Sequence, residues 1–340
     1  MSDLNKDFYI ETPIDHNFHQ LRNQKITRWE SNLPPEYWEY RRKWEEYPQK
    51  HHVGSFPIHL DIEATNACNL RCTMCPRTEM VNSDSFWKTQ HFDFDRYKQL
   101  IDEGVKEGLC SVKFNYLGEP LLNPKLINMI TYAKQAGVID VMFNTNATLL
   151  DEKMSRRLIA SNLDKIFFSF DSPYREKFNQ IRKGADYESV LHNIKQFMAI
   201  RRDLGSHKPF TRVSMVLMKD NQNENQAFQK LFESIVDAVA FVDYLDHGNQ
   251  NNPERMIVLH GSRKKRFCCP QLWQRMFIHP DGVVTVCCID SERNLKVGNI
   301  FEQSAKEIWL GEAYNHLRNL HKKGLYQNIS TCSDCPLATY

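Results

Sequence analysis

Three cysteines fall within eight residues in "CNLRCTMC", at Cys68, Cys72 and Cys75, in the order C-x3-C-x2-C. Six more crowd the last quarter of the chain: Cys268, Cys269, Cys287, Cys288, Cys332 and Cys335. The tenth, Cys110, stands alone and reads as a small buried hydrophobe. Closely spaced thiolates are ligands for soft metals, so the two groups predict two separate thiolate sites. Structural zinc asks for four protein ligands, and iron–sulfur clusters ordinarily take four cysteines. The first group has only three. A fourth zinc ligand is available in His51, His52 or His91. A [4Fe–4S] cube on three thiolates would instead keep one iron open to a substrate or cosubstrate, as a catalytic zinc keeps an open position.

The second group, counted from Cys269, has the spacing C-x17-C-x44-C-x2-C through Cys287, Cys332 and Cys335. Four thiolates close a site, whether it holds a zinc ion or a cube. Cys268 and Cys288 sit beside two of these positions and are alternatives within their doublets.

The 340 residues are 41% hydrophobic and 25% charged, with a net charge of +2. This suits a soluble globular protein and gives no field for nucleic acid or an anionic membrane. The opening "MSDLNKDFYIETPIDHNF" has no apolar core of a signal peptide. No run approaches the roughly 18 apolar residues of a membrane span. The expectation is a cytoplasmic protein, where reduced thiols are favoured over disulfides.

Elements must bring these thiols to one place. Strand-like runs at 58–64, 111–117, 140–146, 165–171, 212–218 and 238–244 alternate with amphipathic stretches near 95–107, 124–136, 151–161, 187–203 and 224–235. Such alternation predicts parallel βαβ units, an α/β fold. Six units predict an open, partial (β/α)6 TIM-like barrel, with its chemistry at the carboxyl ends of the strands. The first three cysteines follow directly on the first strand. Residues 1–55 form an aromatic-rich extension in which Tyr37, Tyr40 and Trp44 share one helical face. The barrel takes 56–250, with a polar linker at 248–254. A small domain takes 251–340, with a hairpin over 276–288 and a helix around 304–323. The basic run 262–267 beside it reads as a solvated loop.

The text "EATNACNLRCTMCPR" resembles the first motif of the radical S-adenosylmethionine (SAM) enzymes. In that family three cysteines hold a [4Fe–4S] cluster whose open iron binds the methionine part of SAM. An electron then cleaves SAM, and a 5'-deoxyadenosyl radical abstracts a substrate hydrogen. The resemblance implies Cys68, Cys72 and Cys75 as cluster ligands, with Met74 in place of the family's usual aromatic. "YLGEP" resembles the family's GGEP motif, with Leu117 where the first glycine stands. This implies a close approach at Gly118 and a hydrogen bond from SAM's amino group to Glu119. "NTNATLL" and "SFDS" resemble the motifs ending the next two strands, implying Asn146, Ser169 and Asp171 around SAM, with Asn144 and Asn221 as weaker candidates. Ser169 and Asp171, two apart on a strand, share a face.

"HPDGVVTVCC", "VGNIFEQSAKEIW" and "CSDCP" resemble the SPASM region of the same enzymes, in its shortened "twitch" form. This implies one auxiliary [4Fe–4S] cluster on Cys269, Cys287, Cys332 and Cys335. Cys268 or Cys288, where not a ligand, becomes a candidate hydrogen donor to a substrate radical. The family resemblance implies an oxidoreductase, a dehydrogenase or epimerase, on a small polar metabolite such as a sugar or aminocyclitol. It also implies an external one-electron donor such as flavodoxin or ferredoxin. Two other readings stand beside it: a peptide- or protein-modifying enzyme of the same family, and a non-catalytic zinc scaffold.

Overall fold

The computed structural model describes residues 9–11, 18–21, 23–82, 88–245, 267–333, 335 and 338. The linker expected at 248–254 and residues 262–266 of the basic run lie outside them. The chain begins with strands β1 (Tyr9–Glu11) and β2 (Phe18–Leu21) and helices α1 (Gln24–Glu30) and α2 (Pro35–Lys50). The repeating body follows: β3 (His59–Ile62), α3 (Pro76–Asn82), α4 (Phe94–Glu107), β4 (Ser111–Phe114), α5 (Leu126–Ala136), β5 (Asp140–Thr145), α6 (Glu152–Ala160) and β6 (Lys165–Ser169). It continues through α7 (Arg175–Ile181), α8 (Tyr187–Asp203), β7 (Phe210–Leu217), α9 (Asn225–Phe232) and β8 (Ala238–Asp243). The last part holds α10 (Gln271–Gln274), β9 (Arg275–Ile278), β10 (Val283–Thr285), β11 (Lys296–Asn299), α11 (Ala305–Leu310), α12 (Glu312–Lys322) and α13 (Ser330–Ser333).

Local chemistry sets the boundaries. Asp93, Asp151 and Asp186 each accept a backbone N–H at the start of α4, α6 and α8, filling one of the orphan donors of a helix N-terminus. Gly108 and Gly137 end α4 and α5 in the left-handed conformation, at φ 99° and 101°, where a glycine costs least. Each predicted strand–helix unit is present, and β3 through β8 pair in parallel, in chain order. They form the centre of an eleven-stranded sheet, curved as a partial barrel.

Side chains alternate across that sheet. Leu60, Val112, Phe114, Val141, Phe143, Ile166, Phe168, Val213, Met215, Val239 and Phe241 face the helices and make the core. Their neighbours on each strand face the lumen. At the amino end the lumen is shut: His59, Ser111, Asp140 and Lys165 are buried. Helix α2 does the shutting. Tyr37, Tyr40 and Trp44 recur on one face and are buried there. Trp44 meets His59 edge-on at 5.4 Å and lies 4.7 Å beneath the Arg275 guanidinium. Lys165 pairs with Asp140 and lies 3.1 Å from the Tyr37 hydroxyl.

The sheet extends at both edges in ways that the alternating pattern does not announce. β2 adds antiparallel to β8, and β9 adds parallel to β3. The expected hairpin is β9–β10, and β11 joins it as a further strand. The helix read over 304–323 is two helices. The chain turns at Gly311, where a Cβ would sit 2.8 Å from the Glu307 carbonyl oxygen. Ser304 and Glu307 form a reciprocal capping box at the start of α11. No helix among the described residues is long and apolar enough to cross a membrane.

Candidate active site and thiolate sites

The three-cysteine loop leaves the carboxyl end of β3 and is held on two sides. Arg71 N–H donates to the Lys183 carbonyl at 2.8 Å, and Thr73 N–H to the Ile181 carbonyl at 2.9 Å. Opposite, Asn66 donates to the Lys88 carbonyl and accepts from Gln90 N–H, while Arg77 Nε donates to the Asn66 carbonyl at 2.8 Å. Burial pushes the Cys72 thiol up to about 12 and the Cys75 thiol up to about 11. The neighbouring thiols raise them further, and Arg182 opposes the shift. A bound cation reverses this balance, because ligation takes the thiolate and supplies the missing positive charge. A metal-bearing group is therefore what this donor set fits.

At Gly118 the close approach is between two stretches of backbone. A Cβ there would lie 1.8 Å from the Thr65 carbonyl oxygen and 2.9 Å from that of Ala67. The glycine lets the end of β4 press against the loop that carries the cysteines, and Glu119 N–H donates to the Ala67 carbonyl at 2.7 Å. The Glu119 carboxylate is buried. It accepts from the Thr145 hydroxyl at 2.7 Å, Asn146 N–H at 2.7 Å and Leu121 N–H at 3.2 Å. Burial lifts its pKa to about 7 against these donors. Asn146 in turn donates to Asn69 Oδ1 at 3.0 Å. Glu119 and Asn146 thus sit where strand ends meet the cysteine loop.

Ser169 is partly exposed at the mouth, whereas Asp171 is fully buried. Asp171 accepts from Val216 N–H at 2.9 Å and pairs with Arg182 at 2.7 Å. It is therefore a support for Arg182, a residue that sequence reasoning missed. Arg182 lies just past α7, beside the segment that pairs with the cysteine loop, and its charge bears on both Cys72 and Cys68. Its buried Nε has no hydrogen-bond acceptor among the described residues. A SAM carboxylate is the kind of acceptor that would satisfy it. Met74 packs by the Ile181, Met218 and Tyr244 cluster. Asn221 is spent on the backbone, donating to the Asp171 and Val216 carbonyls and accepting from Met218 N–H.

Near the C-terminus, Cys269, Cys287, Cys288, Cys332 and Cys335 line one cavity with Phe267, Leu272, Val286, Ile289 and Leu295. Among the described residues no three His, Cys, Asp or Glu side chains are close enough to grip a single ion; these thiols surround a space. Burial pushes Cys332 up to about 12, and the Cys269 thiol is likewise raised well above its usual range by burial and then by Cys335 and Cys332. Apolar walls around several thiols fit an iron–sulfur cluster, which brings its own charge. Cys268 is absent from that wall: its Sγ lies 3.3 Å from His51 Nε2, at the end of α2. This geometry separates the first doublet. It leaves the Cys268 thiol against His51 and away from the cavity lining. Cys288 Sγ accepts from Gln271 Nε2 at 3.1 Å.

The two thiolate regions are joined by a buried polar bridge. Glu63, just past β3, holds His279 at 2.9 Å, and His279 holds the Thr285 hydroxyl at 3.1 Å. Tyr116 stacks edge-on against His279 and donates to the Asp290 carbonyl at 2.7 Å.

Residues 62–231 match the Radical SAM superfamily, and residues 268–336 match SPASM, an iron–sulfur cluster-binding domain. The tungsten-containing aldehyde ferredoxin oxidoreductase cofactor-modifying protein of Pyrococcus furiosus is 24% identical over 320 residues, 82% of this chain and 87% of that one. A GTP 3',8-cyclase of Chlorobaculum tepidum is 33% identical over 142 residues, 42% of this chain and 41% of its own. Among solved structures, BtrN in complex with AdoMet and 2-DOIA is similar at a TM-score of 0.55 and 17% identity, covering 82% of this chain and 92% of that one. Streptococcus suis SuiB bound to precursor peptide SuiA is similar at 0.58 and 17%, covering 88% and 74%. Both structural likenesses establish a shared fold.

Proposed function

The chain belongs to the Radical SAM superfamily and carries a SPASM domain, and on that premise we propose that it is an oxidoreductase, a dehydrogenase, acting on a small polar metabolite such as a sugar or aminocyclitol. The family and domain bring SAM, a SAM-binding [4Fe–4S] cluster and auxiliary iron–sulfur ligation. The chemistry supplied by that bound group is one-electron cleavage of SAM and hydrogen-atom abstraction from the substrate.

In this reading Cys68, Cys72 and Cys75 hold the first cluster, and Cys269, Cys287, Cys332 and Cys335 hold the auxiliary one. Glu119 receives SAM's ammonium, and Arg182, held by Asp171, receives its carboxylate. An external protein such as flavodoxin or ferredoxin brings the reducing electron. The observation that carries the choice of substrate size is the lumen. Lys113, Asn144, Ser169, Arg212 and Ser214 are each partly exposed, between core neighbours that are buried. They put polar side chains on the interior face of the curved sheet beneath the mouth, a surface suited to a compact hydroxylated molecule. The placement of Cys268 against His51 leaves Cys288 as the thiol an epimerisation would need.

The test is anaerobic reduction with SAM and panels of deuterated polyols and of peptides. The expected result is methionine and 5'-deoxyadenosine, with deuterium arriving in the 5'-deoxyadenosine from a polyol and SAM consumed stoichiometrically. Cleavage that survives replacement of Cys68, Cys72 and Cys75 would refute the site. Label arriving only from a peptide would replace the substrate class.

A further inference from the structure

Tyr116 lies in the turn that leaves β4, two residues before Gly118, and its φ is 134°. This is the half of φ that favours glycine. A residue with a Cβ stays there only where its surroundings over-determine it. What holds Tyr116 comes largely from the C-terminal domain. Its hydroxyl donates to the Asp290 carbonyl at 2.7 Å, and its ring meets His279 edge-on at 4.9 Å. The next residue, Leu117, donates its N–H to Glu63 Oε1 at 3.3 Å, while Glu63 Oε2 holds His279 at 2.9 Å.

The far side of this contact is built around Asp290. Its carboxylate accepts from Asn294 N–H at 2.9 Å and Leu295 N–H at 2.7 Å, and its carbonyl also accepts from Arg293 N–H at 3.1 Å. Arg293 is itself held at φ 62°, with its guanidinium 2.6 Å from Asp281 and 3.8 Å from Glu63. A second strained residue therefore stands across the same joint. Asp290 follows directly on Cys287, Cys288 and Ile289, and Leu295 lines the thiol cavity with them. On the near side, Glu119 comes three residues after Tyr116. Between them, a Cβ at Gly118 would lie 1.8 Å from the Thr65 carbonyl oxygen. The turn is packed too tightly against the cysteine loop to absorb a change at Tyr116 before it reaches Glu119.

Resting on the reading of Glu119 as the partner of SAM's ammonium and of the C-terminal thiols as auxiliary ligands, we propose that Tyr116 is a positioning residue. Through its bond to Asp290 it sets Glu119 for SAM, so that SAM affinity depends on whether the auxiliary cluster is in place. The strained turn has two arrangements, one imposed by the Asp290 loop and one relaxed. Ligation by Cys287 fixes the segment that carries Asp290 and so favours the imposed arrangement. SAM, by drawing on Glu119, favours the same one. Two sites that bias one element in this way are coupled, and the coupling is reciprocal.

The test measures SAM binding to the reconstituted enzyme by equilibrium dialysis, with iron content on the same samples. It compares wild type, Tyr116→Phe, Cys332→Ala/Cys335→Ala and their combination. Tyr116→Phe keeps the ring and loses the hydroxyl. It should keep its iron and bind SAM about three- to tenfold more weakly, the worth of one hydrogen bond. The double cysteine variant should lose about four irons and weaken SAM at least as much. In combination the loss should fall well short of the product of the two, because both act through one contact. A side chain that merely stabilised the fold would give independent losses that multiply. Asp290→Ala frees the loop with every thiol in place, and it completes the same cycle where the cysteine variant fails to fold. Unchanged SAM affinity in Tyr116→Phe, or losses that multiply, would overturn the inference. A cysteine variant that keeps all its iron would refute the auxiliary ligands instead, and the Asp290→Ala cycle then decides the joint.

Discussion

Arg182 Nη2 stands 2.7 Å from Asp171 Oδ2, with the arginine side chain 7% exposed and the aspartate fully buried. The pair clamps the segment that the cysteine loop hydrogen-bonds to, so its effect reaches the thiols through the backbone. Removing one member of a buried pair leaves the other charge uncompensated. Asp171→Ala should cost about 3–5 kcal/mol of stability, read by anaerobic urea unfolding. It should also weaken SAM binding, because the guanidinium loses its fixed orientation. Unchanged stability would mean that water reaches Arg182.

Gly118→Ala places a Cβ 1.8 Å from the Thr65 carbonyl oxygen. Neither atom belongs to a flexible side chain, so the cysteine loop must move. The expected loss is more than about 4 kcal/mol, in the range seen only for severe strain, together with loss of iron from the first cluster. Full iron content in this variant would show that the loop has room to retreat.

Glu119 gives a pH signature in the absence of SAM. Its folded pKa is raised to about 7 by burial, above the ordinary carboxylate value, so the folded state binds its proton more tightly than the unfolded chain. Stability from this group is therefore full below the unfolded value and falls as pH rises toward 7. The loss is about 3 kcal/mol across that window. The difference in unfolding free energy between wild type and Glu119→Gln should follow that slope. Added SAM should flatten it, because an ammonium beside the carboxylate favours its charged form.

The two members of the first C-terminal doublet should behave differently. Cys269→Ala should lose about four irons per chain, since Cys269 lines the thiol cavity. Cys268→Ala should retain them, because its sulfur turns to His51. Iron and sulfide analysis of the two purified variants decides the matter. The reverse pattern would shift the ligand register by one residue.

Trp44→Ala opens the amino end of the barrel. Truncating a buried tryptophan costs about 3–5 kcal/mol, and here it also removes the ring beneath the Arg275 guanidinium. Thermal unfolding should show the drop, while a change near zero would mean that α2 repacks.

Much of the fold was legible because each strand run is apolar, each helix is amphipathic, and aspartate or glycine marks many of the helix ends. The S-x-D spacing led to Asp171, but Arg182 stands eleven residues further on, past a short helix, and carries no local signature. Lys113 and Arg212 were hidden for another reason. A charge within a strand looks like the solvated half of an alternating pattern, and only the curvature of the sheet makes that half an interior. β1 and β2 are too short to show a period. Gly118 was singled out as a point where the backbone approaches a ligand; the contact seen there is with the backbone of the cysteine loop, and the sequence does not tell the two apart. The doublets could not be separated by spacing, since a one-residue shift leaves the intervals nearly the same.

Helix α2 has a kinetic consequence. Among the described residues Trp44, His59 and Arg275 are packed across the amino end, so in the proposed reading both reactants enter by the mouth. A substrate seated beneath SAM, as proposed, would then arrive first and depart last. The expected kinetics are then an ordered sequence with inhibition by excess SAM, which initial rates at varied SAM would read.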